Sequence, residues 1–325
     1  MCGSDIVGNE QKELIAARNA KFREASKSPF GSKDEIGMLN LMTGQSMRRV
    51  MSEIDGGKVF DLATDYFMGM PAFTVFGDPS YQIWMSHTPQ GTINEDPGRI
   101  GREQNDLISY SGDCFSMYIH CGTHIDALNH IGYHGRVWNQ FSAVDHLGSR
   151  HWHVNGADKH PPIVARGVLI DVAGMHGSSV LPPSYGIGAK DLSEALRKQG
   201  THLQTGDVVV VRTGRMTLWP DADAYIPNMP GLNREGAEFL AKAGAIMIGA
   251  DTMSVEQFPG VDPENWVVVH SYLLAEAGVM MLENAVLEEL AAEKLYEFAF
   301  VAAGLKLGGA TGSPVRPMAF TLRRS

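Results

Sequence analysis

Cysteine is scarce in this chain, with Cys2, Cys114 and Cys121 the only three in 325 residues. An odd trio cannot build a disulfide framework, so the fold must rest on a hydrophobic core, and the expected compartment is the reducing cytoplasm. Basic residues are also in deficit, 27 Lys and Arg against 37 Asp and Glu, which leaves a net charge of -10. A phosphate-coated partner needs clustered positive charge, and that argues against nucleic acid. Long apolar runs are missing too. No segment approaches the roughly 20 apolar residues of a membrane span, and the opening MCGSDIVGNEQKE has neither the basic nor the apolar region of a secretion signal. Internal repeats and low-complexity linkers are absent. What remains is a chain that is 44% hydrophobic, enough for a full core, with a small molecule as its expected partner.

Regularity begins late. Residues 11–27 combine helix formers with apolar residues at helical spacing, which predicts an N-terminal helical arm within residues 1–50. The stretch from Thr74 to Asp106 is rich in Gly, Pro, Asn and Asp without a sustained period, and reads as a long loop near a site or an interface. Beyond Pro161 the pattern alternates. GVLIDVA (167–173), DVVVVRT (207–213), AIMIGAD (245–251), GVMMLE (278–283) and EFAFVAAG (297–304) read as short buried strands. Between them lie helical segments, KDLSEALRKQ closed by Gly200, REGAEFLAKAG capped by Asn233, and NAVLEELAAEK. Strands and helices in alternation predict a single α/β domain over residues 51–325 with a buried mixed or parallel sheet.

The twelve histidines are unevenly spread, seven of them falling between His120 and His153. Within YIHCGTHIDALNH, residues His120, Gly122, His124 and Asp126 occupy alternate positions, which an extended backbone points to one side. A continuous helix would scatter them. Gly122, without a side chain, leaves space between the histidines for an ion or its water, and a helix starting at Asp126 would bring His130 over the same space one turn later. Two neutral imidazoles and a carboxylate suit Zn2+ or Mn2+ and leave open positions, as a catalytic site requires. A single histidine in such a stretch is most simply a hydrogen-bonded core or surface residue. Four titratable groups at this spacing beside the apolar MYI are costly to bury without a shared partner. Cys121 falls on the opposite side of the alternation and is read as a packed residue.

HCGTHIDALNH resembles the HxGTHxDxxxH signature of the cyclase family of metal-dependent hydrolases, which takes in bacterial kynurenine formamidases and isatin hydrolases. The similarity extends through DLATDYFMGMP (61–71), PPIVARGVLIDVA (161–173), GDVVVVRTG (206–214), IGADTMSVEQFP (248–259), HSYLL, GVMMLEN and GATGSPVRPMAF (309–320). It implies a swivelling β/β/α fold, a divalent metal on His120, His124 and Asp126, and a catalytic role for His130. It further implies His270 and Glu283 as ligands of a second metal bridged by Asp126, or as supports of the first. Read without the resemblance, His270 is a structural residue ahead of a helix and Glu283 a carboxylate at a helix N-terminus. The resemblance and the N-terminal arm together lead to the expectation of a homodimer or homotetramer.

The expected chemistry is metal-assisted hydrolysis of a small amide, cyclic amide or lactone, with His130 as general acid and base. A lyase or cyclase using the metal as a Lewis acid is the alternative, and a binding protein without turnover the third reading. Asp251, Glu256, Arg212 and Thr213 lie at strand ends, where ligand sites of α/β sheets gather, and serve equally well as caps and loop residues. Phe73 and Phe76 are either core or the lining of a pocket for a ring-bearing substrate. His87, His134, His151, His153, His160 and His176 show no spacing that translates into chemistry.

Overall fold

The computed structural model describes residues 23–323. Among the described residues thirteen strands run in chain order: β1 (Ile54–Asp61), β2 (Gln82–His87), β3 (Gly112–Ser116), β4 (His124–Asp126), β5 (Ile163–Asp171), β6 (Gly186–Ile187), β7 (Val208–Arg212), β8 (Gly231–Leu232), β9 (Met247–Ala250), β10 (Met280–Glu283), β11 (Glu297–Ala302), β12 (Gly312–Pro314) and β13 (Met318–Leu322). Nine of them form one mixed sheet in the order β1-β13-β11-β5-β7-β9-β10-β4-β12. Strands β5, β7, β9 and β10 are parallel, and antiparallel strands extend the sheet on both sides. The parallel centre explains the unbroken apolar runs: Val208, Val209, Val210 and Val211 are all buried, because a strand covered on both faces has no polar side to show.

The predicted helices cover the sheet where expected. Ala189–Gln199 ends at Gly200, whose φ of 69° supplies the left-handed cap that a side chain resists. Arg234–Lys242 starts at Asn233, which accepts a hydrogen bond from the Gly236 N–H at 2.9 Å, a cap worth about 1 kcal/mol. The third helix is shorter than its pattern, Glu288–Ala292 only. No helix among the described residues is long and apolar enough to cross a membrane.

One expectation falls largely outside the described residues, and another changes. Residues 1–22 of the expected helical arm lie outside the described residues, and from Arg23 to Ser28 the chain is irregular. Ser26 gives its backbone N–H to the Ala275 carbonyl at 2.8 Å, a bond to a distant segment that a local helix would not leave free. Residues 37–41 then form a 3-10 turn whose Met38, Leu39 and Leu41 enter the main core, ahead of the helix Gly44–Glu53 capped by Thr43. The Thr74–Asp106 region is not a plain loop either. It holds β2, paired with β3 beyond it, and the short helices Pro89–Glu95 and Arg102–Leu107. Their solvent-facing surfaces carry no buried face to impose a period.

Candidate metal centre

Strand β4 lies between β10 and β12, and that position builds the site. His124 and Asp126, two residues apart on a three-residue strand, share one face. Across the ladder His124 pairs with Glu283, and Asp126 pairs with Gly312. A cross-strand pair sets its side chains about 5 Å apart, so Glu283 reaches the donors of β4 directly. It is a strand-end carboxylate here, not the helix N-terminal one that its sequence context allowed.

His120 arrives by a bend, which corrects the extended reading. Gly122 has a φ of 58°, and a Cβ at that position would stand 2.6 Å from the Tyr66 ring. The missing side chain therefore makes room for Tyr66, whose hydroxyl donates to the Thr123 carbonyl, and not for an ion. Gly312 has the matching role across the ladder, where a Cβ would meet the His120 ring at 3.1 Å. After Asp126 the chain makes a turn, with the His130 N–H donating to the Ala127 carbonyl at 3.0 Å, instead of the expected helix. The turn still stacks the His130 ring on His120, centroids 3.7 Å apart.

The donors converge as two sets. Ligand atoms of His120, His124 and Asp126 lie within 4.8 Å of one another, as do those of Asp126, His270 and Glu283, so Asp126 belongs to both. His120 Nδ1 is 2.6 Å from Asp126 Oδ1, while its Nε2 sits 2.8 Å from the Thr311 hydroxyl. His124 donates from Nδ1 to the Gly122 carbonyl at 2.9 Å, which turns Nε2 toward Asp126 and Glu283, each at 3.3 Å. His270 presents Nε2 to Glu283 at 3.2 Å and holds Glu256 through Nδ1 at 2.8 Å. Glu256 also accepts the backbone N–H groups of Val269 and His270. A buried carboxylate on the far nitrogen of a ligating imidazole fixes its tautomer and orientation.

The electrostatics ask for a cation. Burial opposes charging His124, yet the attraction of the nearby Asp126 and Glu283 carboxylates overrides it and lifts its pKa to about 10. Burial likewise works against His270 as a cation, and Glu256 and Glu283 carry it well above the ordinary value. Desolvation would raise Asp126, but His130 and His120 around it hold it well below the usual carboxylate range. His124 Nε2 and Asp126 Oδ2 are buried without a hydrogen-bond partner. Two orphaned atoms on residues of one converging set of nitrogen and oxygen donors fit a divalent ion, which would satisfy both. His130 goes the other way, pushed down to about 3 by burial and by the neighbouring His120, so its ring is neutral at pH 7.

Other candidates settle into structural roles. Cys121 is buried in an apolar cluster with Met70 and Tyr81. Asp251 accepts from Thr213 N, Thr213 Oγ1 and Gly214 N and so holds a turn, while Arg212 pairs with Asp171 and Glu288 at 2.8 and 2.7 Å. Glu256, one of several strand-end candidates in the sequence, is the one that reaches the site. Thr311 was singled out by no pattern. Phe73, Phe76, Phe258 and Trp266 form a chain of edge-to-face contacts with centroids 5.7 to 6.4 Å apart. Phe258 follows Glu256 by two residues, and Trp266 precedes His270 by four.

Known proteins resemble this chain along most of its length. The Cyclase family profile matches residues 60–257. The kynurenine formamidase of Bacillus cytotoxicus is 30% identical over 241 residues, covering 73% of this chain and 85% of its own, and that of Bacillus cereus is 27% identical over the same share. A crystal structure described as a novel cyclase superposes with a TM-score of 0.80 at 26% identity, over 92% of this chain and all of its own. Isatin hydrolase A from Ralstonia solanacearum, at 21% identity, shares the fold with a TM-score of 0.62 over 81% of this chain and 91% of its own. The chain belongs to the cyclase family.

Proposed function

We propose that this protein is a metal-dependent hydrolase of a small amide, cyclic amide or lactone, with zinc or manganese as its ion. The observation that carries the reading is the pair of buried donor sets sharing Asp126, with the neutral ring of His130 stacked against them. When bound, a divalent ion supplies Lewis acidity for a carbonyl oxygen and makes water acidic enough to give hydroxide near neutral pH. His120, His124 and Asp126 would hold the first ion, and Asp126, His270 and Glu283 a second.

The protein's own groups then have defined tasks. Thr311 and Gly122 fix the rings of His120 and His124, and Glu256 fixes His270, so binding costs little reorganisation. His130 is neutral at pH 7 and so has the lone pair to take a proton from the attacking water; its low pKa makes it a weak base in that step and a strong acid when it returns the proton to the leaving nitrogen or oxygen. No serine or cysteine nucleophile is required, and buried Cys121, whose thiol is pushed up to about 11 by desolvation, is unsuited to the part. The similarity to proteins named kynurenine formamidase supports an N-formyl aromatic amine as the substrate here, and Phe258 and Trp266, close in sequence to Glu256 and His270, join Phe73 in an apolar wall.

The test combines elemental analysis of protein purified without added metal with turnover of N-formyl aromatic amines, isatin-like lactams and small lactones. About two equivalents of zinc or manganese, and products heavier than the substrate by one water, are expected. Absence of bound metal together with absence of metal-stimulated turnover would overturn the reading, and products that gain no water, either isomeric with the substrate or summing to its mass, would move the enzyme to the cyclase or lyase alternative.

A further inference from the structure

Asn284 follows Glu283 at the end of β10, fully buried and with a φ of 54°. Left-handed backbone is uncommon outside glycine, and asparagine is one of the few residues that adopt it readily. In that conformation every hydrogen-bonding group of the residue is engaged. Its N–H donates to the Thr252 carbonyl at 2.8 Å, and its own carbonyl accepts from the Thr123 hydroxyl at 2.7 Å. Its Nδ2 donates to the Gly122 carbonyl at 2.8 Å, and its Oδ1 accepts from the Tyr225 hydroxyl, also at 2.8 Å. The amide can face only one way round, because a carbonyl has no proton to give and Nδ2 must therefore meet Gly122.

The Gly122 carbonyl is also the group that holds His124, accepting its Nδ1–H at 2.9 Å. One oxygen with two lone pairs thus serves both donors. Gly122 has the freest backbone of the segment, and a peptide unit that can turn would let the imidazole turn with it. The Asn284 amide removes that freedom. What it protects is the aim of His124 Nε2, which lies 3.3 Å from both Asp126 and Glu283. Tyr225 secures the far end. It closes the short helix Ala222–Tyr225 and packs in an apolar cluster with Met216, Met229 and Met253, against which Phe73 and Phe258 of the aromatic wall also lie. Hydrogen bonds therefore run in series from a residue packed beside that wall to a donor of the metal centre.

We infer that Asn284 is a positioning residue of the metal centre proposed above: its amide fixes the Gly122 carbonyl and, through it, the ring of His124, while Tyr225 fixes the amide. Neither residue belongs to the two donor sets.

Two measurements on the full-length protein test this. One is zinc affinity by competition with a chelating dye. The other, on metal-free protein with 15N-labelled histidine, is the solvent exchange of the His124 Nδ1 proton, assigned by its loss in His124→Ala. Asn284→Gly accepts the left-handed φ and removes the amide without straining the backbone. A loss of affinity of roughly 10- to 100-fold is expected, with faster exchange of the proton and unchanged circular dichroism. Tyr225→Phe is expected to lose less, and to add nothing to Asn284→Gly, since it acts through the same amide. A folded Asn284→Gly protein with wild-type affinity or wild-type exchange overturns the positioning role. Wild-type affinity in Tyr225→Phe, or losses that add in the double variant, overturns the part given to Tyr225. A wild-type protein that binds no metal defeats the proposed function instead, and proton exchange alone then decides the positioning role. If Asn284→Gly does not fold, Tyr225→Phe is read by the same measurements.

Discussion

His124 has one nitrogen committed to the Gly122 carbonyl and the other pointing at two carboxylates, so its replacement removes a donor for which nothing else compensates. His124→Ala is expected to lose bound metal and turnover together, read by elemental analysis and by assay. Glu256→Gln keeps the shape of the side chain but weakens its hold on His270 Nδ1, and a 10- to 100-fold fall in metal affinity is expected by competition with a chelating dye. His160 gives a separate pH signature. Burial pushes its pKa down to about 4, against the opposing pull of Asp158 and Asp126, and its Nε2 has no partner. The unfolded chain, with an ordinary value near 6.5, takes up that proton first as the pH falls. Stability is therefore fully present above about pH 6.5 and is lost as the pH drops toward 4, by about 1–2 kcal/mol for a half-buried ring. His160→Gln should flatten this part of the urea-stability profile of the metal-free protein, and an unchanged slope would show that other groups set it. The donor residues were legible because they crowd into one short segment. Thr311 was not, because a hydroxyl that orients a ring 191 residues away leaves no local mark.

At the scale of elements, the parallel strands and their helices could be read from the sequence because burial on both faces makes residues 167–170 of β5, 208–211 of β7 and all of β9 apolar without a break. The bend at Gly122 could not, since alternation of residue types cannot reveal a positive φ. Gly122→Ala combines a left-handed backbone with a collision against the Tyr66 ring, and a loss of about 1–3 kcal/mol in chemical unfolding is expected. The segment after His270 is a π-helix, Ser271–Ala277, buried throughout. Its Glu276 is held by both terminal nitrogens of Arg234 and by the Tyr133 hydroxyl. Arg234→Ala leaves a buried carboxylate short of its cation, so about 2–4 kcal/mol of stability should disappear, measurable by urea titration. The ribbon from β2 to β3 escaped the sequence reading for the opposite reason to the core: with both faces exposed in the single chain, it carries no inside-outside pattern.

For the whole molecule, the ion is a ligand of the folded state, because its donors meet only after β4, β10 and β12 have paired. Chelation should lower the melting temperature while leaving the far-ultraviolet spectrum intact. Protein kept at about 100 times the dissociation constant in free metal would lose roughly 2.7 kcal/mol on complete removal. The position of β4 in the sheet also bears on how the enzyme is made. Its histidine, His124, leaves the ribosome some 190 residues ahead of Thr311 and the Gly312–Pro314 strand that flanks it. A nascent chain carries histidines but no pocket, and the ion must be chosen by a finished protein from whatever the cell then offers. Which metal the enzyme carries is thus decided by supply after synthesis as much as by the donors themselves, and cells starved of one ion should yield the same polypeptide loaded with another.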